Sequence, residues 1–298
     1  MQMLFKNIIF NRAHQLIINE LMKMNKLKSA VHLAIGHEFV GEFISASIKK
    51  NDNLLLTHRN ICFNLAREKN FKKILAELNY LNFGVSQGKM GSMNMNNIKK
   101  NIIYSSSILA NNLSVALGMS LANSKLSKIN AQTFVITGDG AMEEGSFYET
   151  LILAKSLGAP LCILVINDNF AMASTIKQRR ENINLSKICS SMKIDYLKCS
   201  HFESFSKLKL LKKILSKSRN KKNLCLIEYD VVTFNGHCGK APGWPDDPKN
   251  IDIKNGLIIE KSDKDILFIV KKRMNYEKYK LLEKKALTYA NEILARSK

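Results

Sequence analysis

Apolar residues return at helical spacing between Phe5 and Lys26, at Ile9, Ala13, Leu16, Ile17, Leu21 and Met24, so the chain is predicted to open with an amphipathic helix. Phe39 to Ile48 and Phe71 to Phe83 read the same way, and between them the run Asn53-Leu54-Leu55-Leu56-Thr57-His58-Arg59 reads as the tip of a buried strand. From Gly84 to Ser107 no period holds, and Gly, Asn, Ser and Met predict a long ordered loop of the kind that is usually functional. A helix is predicted from Leu113 to Leu126, a strand at Thr133 to Thr137, a turn at Gly138-Asp139-Gly140, a helix from Glu144 to Leu157 and a strand from Leu161 to Ile166. Two continuous apolar strands joined by a helix form a βαβ unit, which calls for a parallel sheet with right-handed crossovers. Beyond Asn167 no period is clear until helical spacing resumes between Phe202 and Ser218; Asn223 to Val232 is a third apolar strand. Gly236 to Pro248 holds three of the four prolines and reads as a loop, and Asp265 to Arg296 reads as helical. The expected class is α/β: a doubly wound, mostly parallel sheet with helices on both faces. A single domain over residues 1–298 is expected, with a helical N-terminal extension (about 1–50) and a C-terminal helical tail (about 260–298).

With 298 residues the chain is long for one average domain and short for two large ones. Although 46% of it is hydrophobic, no apolar run is long enough to span a bilayer. Met1-Gln2-Met3-Leu4-Phe5-Lys6 lacks the pattern of a secretory signal, so a soluble, cytoplasmic protein without membrane contact is expected. Six scattered cysteines form no CxxC pair, which predicts reduced thiols, with Cys162 and Cys225 in the core. The net charge of +21 comes from lysines spread along the whole chain, and the densest stretch, Lys207 to Lys222, alternates Lys with Leu and Ile as a solvated amphipathic helix does. No nucleic-acid motif accompanies the charge, and a large acidic partner protein suits such a field better.

The chemistry concentrates in Gly138-Asp139-Gly140-Ala141-Met142-Glu143-Glu144-Gly145 and Asn167-Asp168-Asn169-Phe170. Asp139 and Asp168 each follow a predicted strand, at the edge where open parallel sheets bind ligands. Two carboxylates converging there suit Mg2+ on a diphosphate, since this ion takes oxygen ligands shared between carboxylate and phosphate. Asp139 would supply one oxygen, Asp168 a second and the main-chain carbonyl of Phe170 a third; Asn169 replaces Asp168 if the register slips by one. Gly138 and Gly140 would let the backbone approach the phosphate, and a helix starting near Met142 would aim its N–H groups at the anion.

Gly-Asp-Gly, a Glu-Gly shortly after it and an Asn/Asp cluster 29 residues beyond the first Asp (168 − 139) resemble the thiamin diphosphate motif. Thr57-His58-Arg59 resembles the Thr-Tyr-Arg segment of the alpha subunit of pyruvate, branched-chain and acetoin dehydrogenases, and Gly88-Lys89-Met90-Gly91-Ser92-Met93-Asn94-Met95 its Gly-Lys-Gly-Gly-Ser-Met-His-Met loop. Ser107-Ile108-Leu109 is similar to its Gly-Ile-Val segment, and Phe234-Asn235-Gly236-His237-Cys238 to its Tyr-His-Gly-His-Ser loop. The similarity covers nearly the whole chain and is poorest from about Lys177 to Ser200.

The resemblance implies a thiamin diphosphate-binding fold. It implies that Arg59 pairs with the cofactor diphosphate, that His58 flanks it, that Leu109 offers main-chain contacts to the aminopyrimidine and that Ile108 beside it also binds the cofactor. Gly140 and Ala141 would lie with Asp139 at the diphosphate, and His237 near the diphosphate and the reacting centre. It further implies a beta-type partner subunit that supplies the activating glutamate in an α2β2 assembly, and a lipoyl acyltransferase as acceptor. The substrate would be a 2-oxo acid or an acyloin such as acetoin. The chain departs from the pattern at Asp168, where Asn is usual, at Asn94 and Asn235, which replace histidines, and at Thr233, which replaces an arginine. A carboligase subunit and a non-catalytic subunit that kept the fold are the competing readings. Outside the pattern, Arg59 and His237 would be an ordinary surface cation and a loop histidine. His14 and His201 match nothing and are expected on the surface; His32 and His37 flank Gly36-His37-Glu38, as much a helix start as a functional segment. Glu143 and Glu144 are expected to serve structure or subunit contact.

Overall fold

In the computed structural model, which describes residues 1–126, 131–238 and 251–296, the elements follow one another in this order. The first half carries α1 (Gln2–Lys23), α2 (Glu38–Ser47), β1 (Asn53–Thr57), α3 (Ile61–Arg67), α4 (Phe71–Leu78), β2 (Ile102–Ser106), α5 (Asn111–Leu126) and β3 (Thr133–Gly138). Next come α6 (Gly145–Ser156), β4 (Leu161–Asn167), β5 (Phe170–Ala171), β6 (Ser174–Thr175), α7 (Ile176–Arg179), α8 (Leu185–Ser191) and β7 (Asp195–Ser200). The chain ends with α9 (Leu208–Lys221), β8 (Cys225–Asp230), α10 (Ile266–Arg273) and α11 (Tyr276–Ala295). These elements form two compact units, Met1–Ala46 with Arg59–Asn96 and Val232–Lys298, and Ser47–His58 with Asn97–Val231.

The second unit is built on a six-stranded sheet in the order β2-β1-β3-β4-β8-β7, with every pair parallel. Its inner strands are unbroken apolar runs because both faces are covered. Leu55, Val135, Ile163 and Leu226 join one cluster with Leu113 of α5, Phe147 of α6 and Leu185 of α8, while Phe134, Cys162, Leu164 and Ile227, which point the other way, are just as buried. α9 contacts β4, β7 and β8. A buried two-pronged ion pair ties its end to the start of β1: Arg219 Nη1 and Nη2 donate to Asp52 Oδ1 and Oδ2 at 2.8 and 2.6 Å. Cys162 and Cys225 are core thiols facing each other across neighbouring strands, as expected.

Two expectations for this unit are corrected. The stretch from Gly84 to Ser107 is not loop throughout, since Ile102–Ser106 forms β2, an edge strand whose short apolar run is hidden by asparagines and lysines. The unread stretch after Asn167 holds the β5–β6 hairpin, two helices and β7, whose edge position accounts for its polar content (Tyr196, Lys198). His201 is buried, not on the surface as expected.

In the first unit α1 packs against α11, so the helical extensions from the two ends of the chain meet. Arg12, wholly buried, bonds Glu38 Oε1 at 2.5 Å and Asp265 Oδ1 at 3.1 Å, linking α1 to the first residue of α2 and the N-cap of α10. The tail is two helices, because Met274 is extended and Asn275 caps α11. α4 stops at Leu78, ahead of Tyr80 in the left-handed region. The glycine-rich loop then wraps the buried Glu77 carboxylate, which accepts N–H bonds from Ser86, Gly88, Met90 and Gly91 at 2.8 to 3.2 Å. At Gly88, with φ of +70°, a Cβ would lie 2.5 Å from the Tyr80 backbone, so only glycine fits. His14 is partly buried rather than exposed, stacked on Phe71 with ring centroids 4.3 Å apart. The expected loop from Gly236 to Pro248 lies outside the described residues from 239 onward. No helix among the described residues is long and apolar enough to cross a membrane.

Candidate functional site

In the second unit the chain runs from β1 outward to β2 and then returns to the other side of β1 as β3, so the strand order reverses between β1 and β3. Sheets of this kind bind ligands at such a point, beyond the carboxyl ends of the strands. The β1–β3 pairing ends at Leu55 and Val135, and past it Asn112, at the start of α5, enters the split. Its Nδ2 donates to the carbonyls of Leu56 at 3.2 Å and Ile136 at 2.7 Å. His58 follows β1, Ile108 and Leu109 follow β2, Asp139 follows β3 and Asp168 follows β4. Five expected site residues thus stand at the carboxyl ends of four adjacent strands. Ile108 and Leu109 are 69% and 48% exposed, which for apolar side chains at this edge leaves them available to a ligand ring.

Asp139 is 2% exposed. Burial, and then the carboxylate of Asp168, push its carboxyl up to about 6, against the opposing pull of Arg179. The charge of Asp168, on the loop after the neighbouring strand β4, is thus felt at Asp139. Asn169 lies in the left-handed region, its N–H bonded to Asn167 Oδ1 at 3.0 Å. Asp168 Oδ1 takes the N–H of Phe170 at 3.2 Å, which orients the hairpin, while the Phe170 ring is exposed. A Cβ on Gly140 would lie 2.9 Å from Ala171 Cβ, so a glycine is needed where the turn after β3 meets the hairpin after β4.

The expected helix start near Met142 is corrected: Gly140–Glu143 is a 3-10 turn, Glu144 is extended, and α6 begins only at Gly145. Ala141 is buried in that turn. Glu143 serves structure, accepting Arg179 Nε and Arg180 Nε, each at 3.0 Å. Arg179 Nη2 also donates to Asp139 Oδ2 at 2.9 Å. Neither Arg179 nor Asn112 carries a motif signal; Arg179 lies in the stretch that matches the family pattern least.

The donor set fits a divalent cation with a diphosphate. A buried Asp139 carboxylate pushed up by the nearby charge of Asp168 calls for added positive charge, and carboxylate oxygens are the ligands Mg2+ prefers. Among the described residues, the buried Asn112 Oδ1 and Thr137 Oγ1 at the same split have no hydrogen-bond partner, which is costly unless a ligand or water meets them.

The first unit holds the other two expected residues. Arg59 donates to the Leu33 carbonyl at 2.5 Å and, over 3.5 Å, to His237 Nδ1. As guanidinium only donates, His237 Nδ1 faces it as the acceptor. The ring of His32 stands edge-on to His237 with centroids 4.9 Å apart, and His32 Nε2 contacts Cys238 Sγ at 3.1 Å. The residues that depart from the family pattern have structural partners. Asn235 Oδ1 accepts the Ile35 N–H at 3.0 Å and its Nδ2 donates to the Leu33 carbonyl at 2.9 Å. Thr233 Oγ1 bonds His37 Nε2 at 2.7 Å.

Known proteins are similar to this chain. The pyruvate dehydrogenase E1 component subunit alpha of Saccharomyces cerevisiae is 24% identical over 249 residues, 80% of this chain and 56% of that protein. The Schizosaccharomyces pombe counterpart is 28% identical over 175 residues, covering 59% of this chain and 42% of its own. The Rickettsia prowazekii subunit alpha is 24% identical over 238 residues, 80% of this chain and 73% of that one. The chain thus spans about half the length of the two fungal relatives. In fold it is similar to a transketolase from Leishmania mexicana, with a TM-score of 0.58 at 13% identity over 98% of this chain and 47% of that one. A transketolase from Campylobacter jejuni gives 0.55 at 16% identity, over 77% of this chain and 38% of that one. Residues 8–275 match the model of the dehydrogenase E1 component family, and the chain belongs to that family.

Proposed function

We propose that this chain is the alpha-type subunit of a thiamin diphosphate- and Mg2+-dependent 2-oxo acid dehydrogenase, with pyruvate, named by its relatives, as the substrate. The observation that supports the reading is the pair Asp139 and Asp168 at the carboxyl ends of the neighbouring strands β3 and β4, next to the point where the strand order reverses. Asp139 and Asp168 would hold the metal, with the Phe170 carbonyl as a third ligand. Gly140 and Ala141 would border the diphosphate, and Ile108 and Leu109 the aminopyrimidine. The cofactor, when bound, supplies the electron sink for loss of carbon dioxide. Arg59 would neutralise diphosphate charge and His58 would flank it. His237, oriented by Arg59, would present Nε2 to the reacting centre and hold or move a proton there. The glutamate that activates the cofactor would come from a beta-type partner in an α2β2 assembly, with a lipoyl acyltransferase receiving the product.

The test is co-expression with a beta-type subunit and assay of pyruvate decarboxylation with thiamin diphosphate and Mg2+. Turnover should need both chains, and His237→Ala should lower it on the order of 100-fold with a smaller change in cofactor affinity. Wild-type turnover in that variant, or none in the parent complex, would count against the reading.

A further inference from the structure

Arg179 is the last residue of α7, a single turn fixed by a capping box between Thr175 and Gln178. Its side chain is 13% exposed and its guanidinium bonds three acceptors: Nη2 meets Asp139 Oδ2 at 2.9 Å, Nε meets Glu143 Oε1 at 3.0 Å, and Nη1 donates to the Ser174 carbonyl. Arg180 Nε holds the same Glu143 oxygen at 3.0 Å. One positive charge therefore already sits on the buried carboxylate assigned above to the metal. A divalent ion ligated there would approach to about 2.1 Å, placing its charge beside a guanidinium on the same carboxylate. Glu143 offers Arg179 a second anchor that does not depend on Asp139.

We propose that Arg179 is a built-in competitor for the divalent cation at Asp139, so that metal binding requires the guanidinium to release that carboxylate and fall back on Glu143. The proposal rests on the metal role given to Asp139 under Proposed function. It makes α7 and the hairpin before it the segment that responds to the metal.

Mn2+ titrated alone into the full chain, followed by electron paramagnetic resonance of the free ion, reads the competition without turnover. Arg179→Gln, which keeps a hydrogen-bonding head but no charge, should bind Mn2+ about tenfold more tightly than the parent. Arg179→Lys, which keeps the charge but not the planar fork, should fall between the two. Affinity of Arg179→Gln equal to or below the parent's overturns the proposal. Asp139→Ala separates the two ideas. If it abolishes Mn2+ binding while Arg179→Gln changes nothing, only the competition is wrong; if it leaves binding intact, the site itself is wrong. Should Arg179→Gln fail to fold, amide hydrogen exchange in the parent decides: residues 174–180 should exchange faster with Mn2+ present, and unchanged rates reject the release.

Discussion

Asp139 was legible in the sequence because Gly-Asp-Gly sits between an apolar strand and a helix, and the spacing to Asp168 fits one βαβ crossover. Asn112 was not, although it is buried in the split. A side chain amide bonding two strand carbonyls leaves no periodic trace, and only the strand order shows why it is there. His14 and His201 were misplaced for a related reason, since a histidine on a helix or turn reads as polar whichever way it faces. Its surroundings give His14 a testable property. Burial, and then the charge of Lys69, lower its pKa from 6.5 to about 4. The neutral ring is thus favoured by folding: its contribution is fully present above pH 6.5 and is lost as pH falls through about 4. The loss should be on the order of 3 kcal/mol. His14→Phe keeps the stack on Phe71 and should flatten the acid side of the stability curve, measured by urea unfolding between pH 7 and 4.5. An equally steep loss in the variant would place the titrating group elsewhere.

Among elements, strands buried on both faces were plain from composition, because β3, β4 and β8 need no alternation. Edge strands were lost: β2 and β7 mix polar residues into short runs and look like loop. The glycine-rich loop after α4 was recognised as ordered, but its organiser, Glu77, lies upstream in a helix and gives no signal of its own. A carboxylate bonded to four backbone N–H groups cannot be removed cheaply, as each buried donor left unsatisfied costs about 1–3 kcal/mol. Glu77→Ala should therefore lower the melting temperature and open residues 84–97 to limited proteolysis. Unchanged cleavage at unchanged stability would mean that the glycines hold the loop without the carboxylate.

At the scale of the whole molecule, the sheet order decides where chemistry can happen, because it puts loops from four neighbouring strands on one edge. The net charge of +21, spread along the chain, is consistent with the proposed association with another, more acidic subunit. Residues 8–275 fit a family whose curated members named above are called alpha subunits, and the chain spans about half of the two fungal ones. What adds to likeness is a pair of carboxylates at the carboxyl ends of neighbouring strands, the buried Asp139 feeling the charge of Asp168. The most direct measurement is calorimetric titration of thiamin diphosphate with Mg2+ into the full chain with its beta-type partner, for the parent and Asp139→Ala, with circular dichroism confirming the fold. The binding heat should disappear in the variant at concentrations that saturate the parent. Undiminished Mg2+-dependent affinity in a folded Asp139→Ala protein would contradict the account.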